Sequence, residues 1–255
     1  MPIEKVDGAV VLKKVLEFAA GCQLNRSTRD ECSEDIPEIP VMPETLLCVD
    51  LCARTQSIDL SEMSQCVLGD PGATLQIMRT ARNANSTGGE RFNRIEDYIS
   101  ALGVDASKDA IAKRILSREM DATRIREAWT HARTIAEICC ELAEETPDET
   151  HPGQAYLVGL LHELGSLPSV LGWDALFPNR KHPEHVGLRL AEAWRLPLCV
   201  HAYFCGLQDE AKSNQWTKLV QRAHALTDAA KEQCRSTEKP VIRLNVEDRL
   251  QTVMV

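Results

Sequence analysis

Residues 155–165 read AYLVGLLHELG. The spacing predicts a helix over 153–164, apolar along its length until His162 is followed directly by Glu163. Burying a charged group is costly unless it is paired or binds a metal. Imidazole and carboxylate are both ligands for zinc, iron, manganese or nickel, so a metal would resolve the conflict. Neighbouring positions on a helix point about 100° apart, so His162 and Glu163 can share a site only if it lies between their two directions.

Outward from this stretch the pattern is helix after helix. Upstream, 121–145 is long and strongly periodic and carries WTHARTIAEI (129–138), with His131 near its start. Before it, helices are expected over 44–54, opened by Pro43, and over 61–68, 71–83, 95–102 and 105–119, with Asp70-Pro71 starting the third. Downstream, helices are expected over 183–194, 198–207 and 213–233, the last holding LVQRAHA (219–225) with His224. The fold class is therefore all-α. Residues 1–35 form a separate N-terminal piece, a helix over 9–20 and a polar linker over 22–35. Residues 234–255 form a tail in which VIRLNV is a short extended stretch or Asn245 caps a final helix.

Composition agrees with packed helices. Aromatic residues make up 4% of the 255 and hydrophobic residues 44%, mostly Leu, Ala, Val and Ile. The net charge of −9 repels phosphate backbones, so no DNA binding is expected. No apolar run approaches the roughly 20 residues needed to cross a bilayer. The N-terminus lacks a basic leader and cleavage site, so a cytoplasmic location without membrane contact is expected. The 10 cysteines are scattered, with no C-x-x-C pair. They are expected to be reduced and largely buried, packing as small hydrophobes; a redox or metal role is the alternative. Trp173 and Trp216 read either as interface anchors or as core.

Without further information, His131 and Glu163 would simply hydrogen-bond each other, or Arg133 would pair with Glu163 across a helix interface. Resemblance shifts that reading. In order along the chain come IPEIPVMPE (36–44), Asp70-Pro71 followed by LQIMRTARNANS (75–86), IEDYISALG (95–103), Trp129-Thr130-His131, GLLHELG (159–165) and GLRLAEAWRLP (187–197). Together they resemble the HDOD domain, a branch of the HD superfamily of metal-dependent phosphohydrolases. The resemblance covers about residues 36–230, and residues 36–233 are taken as one HDOD-like helical bundle.

Active HD enzymes draw their metal ligands from a first His, a His-Asp pair and a later Asp. The resemblance places the first His on His131 and the pair on His162 and Glu163, with Glu in place of Asp. It places the later Asp on His224. The family's additional histidines fall on Pro183 and near Leu207 and Gln208, and His182, His185 and His201 do not substitute for them. A bridging aspartate holds two ions about 3.5–4 Å apart; glutamate is one methylene longer and would move the bridge. His131, His162, Glu163 and His224 are thus left as candidate ligands for at most one divalent transition metal, or for none.

The resemblance implies a regulatory role in signal transduction, alongside two-component or cyclic-dinucleotide systems. With a degenerate site, the chain is expected to act without catalysis, through contacts with a protein partner in a signalling pathway. Two alternatives stand: a mononuclear metal-dependent phosphohydrolase or phosphodiesterase acting on a nucleotide, and a module that binds a nucleotide ligand without turnover.

Overall fold

A computed structural model of the chain describes residues 39–54, 60–84, 92, 94–112, 121–146, 150–173, 182–208 and 213–237. The helix expected over 9–20, the linker over 22–35 and the tail beyond 237 lie outside them. Helices form at Pro43–Arg54 (α1), Leu60–Leu68 (α2), Pro71–Ala84 (α3), Ile95–Leu102 (α4) and Val104–Ala112 (α5). They continue with Ala122–Glu145 (α6), Pro152–Leu161 (α7), Leu167–Val170 (α8), Pro183–Ala193 (α9), Leu198–Gln208 (α10) and Gln215–Thr237 (α11). A 3₁₀ turn, Leu164–Ser166, joins α7 to α8. No strand occurs among the described residues, and the fold is all-α.

Sequence departs from structure at two joints. The helix expected over 153–164 stops at Leu161, because the chain tightens into the 3₁₀ turn just after His162 and Glu163. The short α8 had no periodic signal of its own: four residues are too few to show a helical repeat.

Helix α6 buries Ile125, Trp129, Ala132, Ile135, Ala136, Cys139, Leu142 and Ala143, a stripe at three- and four-residue steps. Asp121 caps it, accepting from the Arg124 N–H at 3.1 Å. Helix α7 buries six consecutive or near-consecutive residues, Ala155 and Leu157 to Leu161, so nearly every side faces protein. Pro152 at its first turn and His151, whose Nδ1 accepts from the Gly153 N–H at 3.1 Å, set its start. Helices α6 and α7 pack against each other along their lengths, with α11 against both. Position 159 meets position 136 and position 162 meets position 131, one index falling as the other rises, so the pair is antiparallel.

The first five helices pack among themselves and join the later ones through α3 and α6. At that junction sits Asp70, 1% exposed. Its carboxylate accepts hydrogen bonds from the backbone N–H groups of Met42 (2.8 Å), Gly72 (2.8 Å) and Ala73 (3.2 Å) and from the Trp129 indole (2.8 Å). One side chain thus fixes the segment entering α1, caps α3 and holds α6. Burial pushes its pKa up, against the pull of the backbone donors of Met42, Ala73 and Gly72. Tyr156, donating to the Leu68 carbonyl at 3.2 Å, and Arg79, 5.3 Å over the Trp194 ring, tie the same halves together.

Cysteine behaviour divides. Cys139 and Cys199 are buried thiols as expected, and burial pushes both up to about 12. Cys48 and Cys66 instead are joined as a disulfide between α1 and α2, so the expectation of reduced cysteines fails there. Scattered sequence positions hid the pair, because the helix packing that brings α1 onto α2 is not a local property. Trp216 is 7% exposed and belongs to the core, and Trp173 packs partly buried against that core.

Asp70→Ala strands the buried Trp129 indole N–H and three backbone donors. It is expected to lower unfolding stability by about 3 kcal/mol, measured by urea denaturation; a loss under about 1 kcal/mol would deny Asp70 this role.

Candidate metal centre

Three of the four candidate ligands converge. His131 comes from the third turn of α6, His162 caps the end of α7, and His224 lies in the middle of α11. Their ring centroids are 5.3 Å (131–162), 5.2 Å (131–224) and 4.9 Å (162–224) apart. One nitrogen from each lies within 4.8 Å of the other two. The fourth candidate, Glu163, stands at the edge. Its carboxylate comes 3.8 Å from His131 Nε2 and its side chain is 41% exposed.

His162 is the most constrained of the three. Its Nδ1 lies 2.6 Å from the Gly159 carbonyl, which can only accept, so Nδ1 carries the proton. The lone pair is then on Nε2, which is buried and has no hydrogen-bond partner among the described residues. An unpaired buried nitrogen acceptor beside two other imidazoles is the arrangement a metal-ligating histidine takes, with its second nitrogen fixed by a backbone carbonyl. Burial drives the His162 pKa down to about 3, helped by His224 and His131, so the ring is neutral and available as a ligand. His224 is also held down, mainly by burial and then by His131.

Gly159 makes this geometry possible. A Cβ there would sit 2.6 Å from the Ala136 Cα, so α7 reaches α6 only because residue 159 has no side chain. The carbonyl of the same residue accepts from His162 Nδ1, three positions further along the chain. Gly165 allows a similar close approach beyond His162, where a Cβ would lie 1.9 Å from the Pro183 carbonyl oxygen.

Of the pairings expected from plain hydrogen bonding, His131 does face Glu163, whereas Arg133 bonds Glu137 at 2.8 Å and not Glu163. His182 and His185 gather with Glu184 at the exposed start of α9, a separate group in which His182 Nδ1 is 2.9 Å from Glu184. His201 lies on α10 outside the cluster of His131, His162 and His224. No carboxylate joins that cluster among the described residues. Beside it, Trp129, Ala132, Leu160, Glu163 and Leu164 enclose a cavity of about 20 Å³, room for a water and not for a nucleotide. A larger cleft of about 600 Å³ runs along a different face of α6 and contains none of the four candidates.

A helical bundle with a histidine from each of three packed helices is the frame of an HD-type domain. The chain belongs to the HDOD domain family, whose profile matches residues 39–173. The matched residues include His131, His162 and Glu163, and His224 lies beyond them. Two crystal structures of the MmoQ response regulator from Methylococcus capsulatus str. Bath share the fold. One is 17% identical with a TM-score of 0.59, covering 84% of this chain and 92% of that one. The other is 20% identical with a TM-score of 0.57, covering 86% and 93%. An uncharacterized protein of Treponema pallidum (strain Nichols) is 21% identical over 189 residues, 65% of this chain. The chain spans 36% of that relative's length.

Gly159→Ala is expected to force α6 and α7 apart, at a cost of about 2 kcal/mol by urea unfolding. It should also release the His162 Nδ1 proton to faster solvent exchange in NMR spectra. An unchanged, protected Nδ1 proton would contradict the link between the two.

Proposed function

We propose that the chain is a regulatory HDOD module that transmits a signal through a protein partner, and that its remnant site holds one divalent transition metal without catalysing hydrolysis. The observation that carries this reading is the donor set: neutral imidazoles from three helices, one with a buried unpaired Nε2, and no carboxylate among them. Nitrogen donors suit zinc, nickel or cobalt. Bound there, such an ion would act as a Lewis acid and as a tie between α6, α7 and α11. His131, His162 and His224 would hold it, and Glu163 would orient the His131 ring from outside.

A two-ion phosphohydrolase needs a carboxylate bridging both metals. Glu163 lies 3.8 Å from His131 and outside the group of three histidines, which counts against a carboxylate bridge at their centre. The cavity beside the cluster, about 20 Å³, is too small to seat a nucleotide. Both points favour regulation over catalysis, and the name of the MmoQ response regulators, proteins with the same fold, agrees with it. An imidazole triad with an open fourth position is also how some mononuclear zinc enzymes are built, so the test must measure turnover as well as metal.

Protein purified without added metal and then given zinc, nickel or cobalt is expected to melt higher, as a ligand of the native state requires. His162→Leu should abolish that rise while changing the metal-free melting temperature little, because the lost Nδ1 bond to Gly159 is offset by removal of the unpaired buried Nε2. Hydrolysis of bis-p-nitrophenyl phosphate and of cyclic dinucleotides should not exceed that of the free ion. Turnover lost in His162→Leu would overturn the regulatory reading, and the absence of any metal-dependent shift would overturn the metal.

A further inference from the structure

A second group of potential ligands lies far along the chain from the histidines. Cys48 and Cys52 stand one turn apart on α1, so their side chains share a face. Cys66 faces them from α2, and α1 and α2 pack together. One sulfur from each of the three lies within 4.8 Å of the other two. Cys52 Sγ is 4.0 Å from Cys66 Sγ, and Cys48 and Cys66 are disulfide-bonded. All three are half-buried, neither locked into the core nor open on every side. Cys48 and Cys66 also line the 600 Å³ cleft, together with Met42, Gln65, Gly69 and Trp129. Solvent, small thiols and ions therefore reach the sulfurs directly.

We propose that Cys48, Cys52 and Cys66 form a thiolate site for one zinc ion, open when the Cys48–Cys66 disulfide is reduced and closed when it is formed. Zinc–thiolate bonds of about 2.3 Å in tetrahedral geometry put sulfurs about 3.8 Å apart. The 4.0 Å between Cys52 and Cys66 already matches that spacing. Three thiolates fill three positions, and the cleft supplies the fourth as water. The redox step is balanced by a dithiol: its thiolate attacks one sulfur of the disulfide, its second thiol resolves the mixed disulfide, and it leaves oxidised. Two thiols remain on the protein, at Cys48 and Cys66. Zinc then displaces the protons of the three thiols, which pass to solvent. In the oxidised state Cys52 alone keeps a thiol, and one thiolate does not hold the ion.

This site uses none of the histidine ligands, and sulfur ligation has its own spectral signature. Cobalt bound to thiolates gives an intense near-ultraviolet charge-transfer band that cobalt on imidazoles does not. Fully reduced, metal-stripped protein titrated with cobalt is expected to develop this band to a one-to-one endpoint, and zinc should bleach it. Oxidation with diamide should remove the band, and reduction should restore it. Cys52→Ser and Cys66→Ser should each weaken cobalt binding at this site at least tenfold, whereas Cys205→Ser should leave the band intact. Circular dichroism of each serine variant establishes that it is folded. No band in reduced wild-type protein would overturn the proposal, as would a band that survives diamide or persists in folded Cys52→Ser and Cys66→Ser. Failure of the histidine site would leave this band unchanged, so the two outcomes are separable.

Discussion

The buried carboxylate of Asp70 is the constraint on which the arrangement depends. Its oxygens accept from Met42 just before α1, from the first turn of α3 and from the Trp129 indole. A buried charge survives only where donors surround it, and here those donors come from three separate segments of the chain. Trp129 lies two residues before His131 on α6, so the hub that joins the two halves also fixes the helix presenting the first histidine. Gly159 completes the frame from the other side, letting α7 approach α6 closely enough for His162 to meet His131.

Within that frame the histidine cluster has its own electrostatics. Three imidazoles, from His131, His162 and His224, meet at its centre, and the part-exposed Glu163 carboxylate lies 3.8 Å from His131 Nε2. Low polarity around His162 keeps it neutral and leaves its Nε2 unsatisfied, a state that is costly without a partner and favourable with an ion.

Much of this was legible in the sequence because it is local. Helical periodicity, proline at first turns and Asp70-Pro71 gave the element order, and His162-Glu163 on an apolar helix marked the site. The convergence of His131 and His224 on His162 could be anticipated only through family resemblance, because helices α6 and α11 are distant in sequence. Side-chain direction escaped entirely: nothing local distinguishes Glu163 pointing outward from Glu163 bridging a metal. Glu163 stands at the start of a 3₁₀ turn whose Gly165 packs tightly against Pro183, and neither feature shows in the helical periodicity. The Cys48, Cys52 and Cys66 cluster was hidden for the same reason, although the four-residue spacing of the first two on a helix was a usable signal.

Anomalous diffraction at the metal edge, from crystals of protein purified with no added metal and then loaded with zinc, tests the central claim most directly. The account predicts one peak in the core of the bundle, ligated by His131, His162 and His224, with Glu163 outside the coordination sphere. Two peaks about 3.5–4 Å apart bridged by Glu163, or no peak between the three imidazoles, would contradict it.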